Sequence, residues 1–301
     1  MIIDFQETFP WWGAKSLIGE ELGRYYPKSG IRTMIDCCGG SGKLAVNPPY
    51  YYPNIIYNDL DTLLVNLFRV IKDDKLFPLM CQQLLEEGYS EQVFNRAKLL
   101  CGDFENTSEE DAERKRKALE NAPRVDLAAA KFQLISLSFN SLQKSYRKSC
   151  PLETSKHLAR IQNLGSLHTR LNVLNIHFLN EDALLLIENA ASDTLLLLDV
   201  PYLAGKEEKR KQIGAYRQFD WPQALHERFL KAIRNTPAKA LICGYHSDLY
   251  SQYLKSIEGI PHRQGEWGEI PVRMVAKSGS NKKSLRTLGR VQETIWINYP
   301  L

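Results

Sequence analysis

No apolar run in this chain of 301 residues approaches the roughly 20 residues that span a bilayer, which argues against a membrane protein. The start, Met1-Ile2-Ile3-Asp4, lacks the basic residues and apolar core of a secretory signal, so a cytoplasmic protein is expected. Cysteine is sparse. Positions 37, 38, 81, 101, 150 and 243 include one adjacent pair, but no C-x-x-C spacing and no Cys/His cluster, so reduced, metal-free thiols are expected. Neither an internal repeat nor a low-complexity tract is present, which excludes a solenoid or a biased disordered chain. Large charge excess is missing too: a formal net charge of +4 permits a polyanionic partner without demanding one. What the chain does have is 44% hydrophobic residues, enough to bury one large core or two modest ones.

The pattern alternates strand and helix. Ile31 to Asp36 and Asn54 to Asp59 read as two short parallel strands, the first leading into a glycine-rich turn. Leu60, Leu63, Leu64, Leu67, Phe68 and Ile71 then recur at helical spacing, giving a βαβ-like unit. From 75 to 171, Leu/Glu/Lys/Arg-rich segments replace strands, with expected breaks near Gly88, Gly102, Pro123, Pro151 and Gly165. Strands resume at 172–178, 194–198 and 238–243, with helices at about 181–191 and 222–235 between them. Two or three β-rich runs, around 270–277 and 291–299 and separated by a basic loop at 278–290, close the chain. The expected fold is α/β: a mostly parallel Rossmann-like sheet with an antiparallel C-terminal end. On this reading residues 1–74 and 172–301 form one domain and 75–171 a helical insertion.

Chemistry concentrates at strand ends. The apolar run Thr194 to Leu198 ends in Asp199-Val200-Pro201-Tyr202, which sets an acceptor, a rigid turn and a flat ring at the sheet rim, a site for a planar amine. Gly39-Gly40-Ser41-Gly42-Lys43 departs from a phosphate loop, because Cys37 holds the first glycine position and Leu44 follows the lysine. What remains is a Gly-x-Gly turn after a strand, where a cofactor can approach the backbone or a strand can simply turn into a helix. Asp59 ends the next strand, placed either to accept from the two hydroxyls of a ribose or to cap a helix. Asp61 fits a helix cap better.

Phe9 to Lys15, Asp36 to Gly42, Asn58 to Asp61 and Asp199 to Tyr202, in that order, resemble the Dam-like family of DNA adenine methyltransferases. Those enzymes carry a Trp-x-Gly-Gly-Lys start, a Phe-x-Gly-x-Gly cofactor turn, an Asp-Ile-Asn ribose motif and an Asp-Pro-Pro-Tyr catalytic motif. Ser138 to Leu142 is similar to the family's Phe-Asn-Gly segment, and Asn180-Glu181-Asp182 lies where an acidic residue precedes the catalytic strand. The resemblance implies that Trp11, Lys15, Asp59 and Asp199 contact S-adenosylmethionine, that Gly40 and Gly42 form its turn, and that Asp182 faces its adenine. Plain alternatives stand beside these: a core aromatic for Trp11, a solvated helix residue for Lys15, an N-cap for Asp182.

By the same resemblance the substrate is double-stranded DNA with a flipped adenine, whose amine is held by Asp199 and the carbonyl of Val200 while Tyr202 stacks on the base. The insertion would recognise DNA. Asn140, Lys144, Arg147 and Lys148, together with Lys282, Lys283 and Arg286, are the candidate DNA contacts. Tyr216 and Phe219 either border the base pocket or belong to the core. The chain departs from the family at Ala14, Cys37-Cys38, Ser141 and Val200, which keeps two alternatives in view: an RNA adenine methyltransferase, and a non-catalytic DNA-binding protein on the same fold. A restriction endonuclease partner is not readable from the residues.

Overall fold

The computed structural model describes residues 6–11, 19–105, 108–148, 150–203, 221–276 and 290–301. Within them eight strands form one sheet in the order β3-β2-β1-β4-β5-β8-β7-β6. The strands are β1 (Thr33–Asp36), β2 (Asn54–Asn58), β3 (Ile176–Leu179), β4 (Thr194–Leu198), β5 (Lys239–Tyr245), β6 (Ile257–Glu258), β7 (Gly268–Ala276) and β8 (Arg290–Ile297). From β3 to β5 all pairs are parallel. β8 runs antiparallel between β5 and β7, as the β-rich C-terminal end implied. Strand order reverses between β1 and β4, and ligands of such sheets bind outside the carboxyl ends of the strands at that point.

Helices flank the sheet: α1 (Gly19–Gly23), α2 (Lys43–Val46) and α3 (Thr62–Lys72) come first. Between β2 and β3 the chain continues through α4 (Leu76–Glu87), α5 (Glu91–Glu105), α6 (Glu109–Asn121), α7 (Val125–Ser136) and α8 (Pro151–Val173). α9 (Ala183–Glu188), α10 (Gln223–Arg234) and α11 (Asp248–Leu254) follow. No helix among the described residues is long and apolar enough to cross a membrane.

β4 shows why the order holds: all five of its residues are buried, the pattern of a central parallel strand covered on both faces. Leu195 and Leu197 enter one hydrophobic core, with α3, α7 and α8. Leu196 and Leu198 enter the other, with α9, α10 and α11. The helical segment is therefore continuous with the sheet's core, since Ala128, Phe132, Leu164 and Leu171 lie in the same cluster as Met34 and Ile55.

Three expectations at the level of elements change. Gly102 and Gly165 do not break helices; α5 and α8 run straight through them. A mid-helix glycine costs only about 1 kcal/mol against alanine, and buried Leu164, Leu167 and Leu171 on one face of α8 outweigh that. The strand expected at 172–178 starts later, at Ile176, because α8 continues to Val173 and buries Leu171 in the core. The helix expected at 181–191 is α9, shorter at both ends.

Candidate active site

The register of the sheet brings the motif ends together. Asp36 pairs with Tyr57 on one side and Leu197 on the other, so Asp59 and Asp199, each two residues past those partners, follow the ends of the two strands that flank β1. Electrostatics agrees. Burial, then the neighbouring Cys37, Asp59, Asp36 and Asp199, push the Cys38 thiol well up, so both carboxylates lie near it.

The glycine turn is built against these ends. Gly40 donates its N–H to Asp59 Oδ2 at 2.8 Å, and Asp61 N–H reaches Oδ1 at 2.9 Å, which orients the carboxylate at both oxygens. Gly40 has φ +50°, and a Cβ there would come within 2.7 Å of Trp11 Nε1, so only glycine fits between the turn and this half-buried ring. The Tyr57 hydroxyl donates to the Gly40 carbonyl at 2.8 Å. Asp61 caps α3 through Leu64 N–H at 3.0 Å, as its position implied. Lys43 is buried and pairs with Glu7 at 2.7 Å, tying the segment 6–11 to α2.

Asp182 is exposed and caps α9, accepting from Leu184 N–H at 2.9 Å. Its loop is pinned to the end of β2. Asn58 bonds both the carbonyl and the N–H of Glu181, and Asn180 donates to the Asp59 carbonyl at 2.7 Å. Asp199 is half-buried, whereas Val200 is 2% exposed and packs among Leu198, Ile242 and Tyr250. Tyr202 donates its hydroxyl to Glu293 Oε2 at 2.9 Å, and its ring meets Tyr245 edge-on at 4.6 Å. Burial, then the charges of Asp199 and Glu293, keep the Tyr202 hydroxyl protonated far above its usual range.

α7 lies antiparallel to α3: Arg124 bonds Asn66, while Lys131 reaches Asp61. The turn after α7 thus projects past the rim that carries Asp59. A bridge between Ser138 and Tyr146 closes that turn, and Asn140, Ser141 and Gln143 all adopt positive φ within it. Phe139 is 57% exposed, Lys144 and Lys148 are exposed, and Asn140 is half-buried. Arg147 is less available, since its guanidinium is bound to Glu153 at 3.0 Å. Lys15, Lys282, Lys283, Arg286, Tyr216 and Phe219 lie outside the described residues.

Sequence reasoning missed three participants in this geometry. Glu293 could have been found as the lone acid on the inward face of β8, where Ile295 and Ile297 follow at strand spacing. Lys131 stands out as the only lysine in a helix whose residues from Leu127 onward are all buried. Arg116 was hidden in an alternating charge run. It bonds Asn180 O at 3.1 Å and Glu181 Oε1 at 2.9 Å, from the run of alternating charges between Glu109 and Glu120. Among the described residues no cluster of His, Cys, Asp and Glu could hold a metal ion.

A parallel sheet with its glycine turn and carboxylates at the reversal of strand order, and an antiparallel strand beside β5, defines a Rossmann-like methyltransferase. The family model of the D12 class N6 adenine-specific DNA methyltransferases matches residues 11–266, and the chain belongs to that family. It is a transferase that methylates adenine in DNA, of a kind that generally draws its methyl group from S-adenosylmethionine. No curated protein gives a significant match.

Proposed function

We propose that this chain transfers the methyl group of S-adenosylmethionine to the exocyclic amine of an adenine flipped out of a specific duplex sequence. The carrying observation is that Asp59 and Asp199 follow the ends of the two strands flanking β1, with the turn after β1 bound to Asp59 through the Gly40 N–H. The donor set suits the cofactor: an oriented carboxylate for a ribose diol, an indole beside a backbone turn without side chains at Gly40 and Gly42, and a second carboxylate at the rim. Trp11, Gly40, Gly42, Asp59, Asp182 and Asp199 are the residues assigned to it, with Lys15. Bound there, S-adenosylmethionine supplies an electrophilic methyl group on a sulfonium.

The chain's own task is to make a poor nucleophile attack. An adenine amine delocalises its lone pair into the ring, and two acceptors, the Asp199 carboxylate and the Val200 carbonyl, favour the localised, pyramidal form. A valine gives up the fixed φ of the family's proline. Burial of the Val200 side chain compensates, because a side chain locked in the core holds its own carbonyl in place. Glu293 and Tyr245 hold the Tyr202 ring ready to face a base. Residues 75–171 serve as the DNA-recognition part in this reading, with the strained turn at 138–146 facing the duplex.

Methyl transfer from labelled cofactor into duplex oligonucleotides tests the proposal, and label is expected in N6-methyladenine. Tight duplex binding at saturating cofactor with no label would replace it by a binding protein on the same fold. Alanine at Lys144 and at Lys148 is expected to weaken DNA binding alike on all sequences and to lower the salt slope by about 1 each. An unchanged slope would remove those two lysines from the phosphates.

Cofactor binding should depend on pH through Asp59. Burial, then the Asp61 charge, push its carboxyl up to about 6, against the pull of the Asp61 and Gly40 N–H groups and of Lys131. Ribose hydroxyls donate to the ionised form, so affinity is highest above the midpoint. It is expected to fall as pH drops through about 6, by roughly tenfold per unit below it. Calorimetry with the cofactor product S-adenosylhomocysteine checks this, and a flat profile between pH 5 and 8 would take Asp59 off the ribose.

A further inference from the structure

Lys131 is an ammonium sealed inside the protein, 1% exposed, in the middle of α7 and far in sequence from the residues assigned to the cofactor. Its Nζ lies 2.6 Å from Asp61 Oδ2 and 3.7 Å from Glu105 Oε1 on α5. Asp61 is committed on both sides. Its Oδ1 caps α3, and its backbone N–H donates to Asp59 Oδ1. One chain of contacts therefore runs from the helical segment through Lys131 and Asp61 to the carboxylate assigned to the ribose. We propose that Lys131 is a positioning residue for cofactor binding, acting through Asp61 to hold Asp59 in place and ionised; this rests on the cofactor reading above.

The charges around Asp59 give the direction of the effect. Asp61 faces it from α3, Lys131 with Glu105 behind it from α7 and α5, Cys38 from the turn after β1, and Tyr57 from its own strand. Arg116 and Glu181 pair with each other beyond Asn180. Lys131 is the cation whose field reaches Asp59 and draws its proton affinity down, and Asp61 is the anion that drives it up. Burial works against the charge on Lys131, but Asp61 and Glu105 overcome it, so the group stays an ammonium. Removing the amine would leave Asp61 as a buried, less compensated anion beside Asp59.

The test is the pH profile of S-adenosylhomocysteine affinity in the full chain, for wild type, Lys131→Met, Asp61→Asn and Asp59→Asn, with thermal melts to verify folding. Lys131→Met is expected to move the binding midpoint up by about one pH unit. At pH 6 that is about a fivefold loss of affinity, recovered near pH 8.5. Asp61→Asn keeps a good N-cap yet removes the anion, and is expected to move the midpoint down, so affinity at pH 6 rises. A purely structural role for Lys131 would weaken binding equally at every pH. Should Lys131→Met fail to fold, Lys131→Gln, which removes the charge but keeps a donor for Asp61, is read in its place with the same expected upward shift. If Asp59→Asn abolishes binding while neither midpoint moves, or both move the same way, the inference is overturned alone. If Asp59→Asn binds as wild type does, the cofactor reading falls and the inference with it.

Discussion

Alanine at Asp199 is expected to lower methyl transfer to duplex adenine by about 10²–10³-fold at saturating cofactor, the usual cost of one preorganised group at a reacting centre. The proposed role predicts which parameter changes. Asp199 accepts from an amine whose charge rises only as the methyl is transferred, so the loss falls on the rate of the chemical step. Affinity for the duplex, carried by phosphate contacts, should change little. Asp199→Asn keeps an acceptor of the same shape but not its charge, and an intermediate rate is expected from it. Single-turnover label transfer beside a filter-binding titration separates the two quantities. Equal label from wild type and alanine variant would sink the assignment of this site.

A large effect on stability is expected at Gly42. Its φ of +72° lies in the left-handed region, and a Cβ there would come within 2.7 Å of Phe68 Cζ. Phe68 has no room to give: it is fully buried, 4.5 Å from the Tyr57 ring centroid and 5.4 Å from that of Phe9. Left-handed geometry costs an L-residue about 1–2 kcal/mol, and overpacking a filled core about 1–3 more. Gly42→Ala should therefore lower unfolding free energy by about 2–5 kcal/mol on those two counts. Gly165 is the control. It sits inside α8 with open space where a Cβ would go, so Gly165→Ala is expected to stabilise by up to about 1 kcal/mol. Urea unfolding of both variants measures this, and a neutral Gly42→Ala would contradict the packing argument.

Those two glycines show how far the residues could be read unaided. Gly42 read as a turn after a strand and Gly165 as a helix break, and only the first of these readings holds. At Gly42 a turn follows a four-residue strand and nothing local favours a helix through it; at Gly165 leucines on one face hold the helix together. Local signals were enough where an element's own residues decide its form: the buried run of β4, the periodicity of α3, the cap at Asp61, the antiparallel end. They failed at 172–175, where apolar residues fit a strand or a helix equally and the packing of Leu171 decided.

By itself, then, the sequence determined which residues follow the strands and which functional groups they bring: Gly40 and Gly42, Asp59, Asp199 and Tyr202. Each follows a short apolar run, and the run and its terminal residue are neighbours in the chain. The tertiary structure alone decided what those ends meet. Strand order set Asp59 and Asp199 at the ends of the two strands beside β1, the antiparallel return of β8 brought Glu293 to Tyr202 across 91 residues, and the packing of α7 on α3 sank Lys131 onto Asp61. Partners so far apart leave no periodic trace in the chain. Their encounter is a property of the folded core, where layers close against one another and each buried charge must find its counterpart.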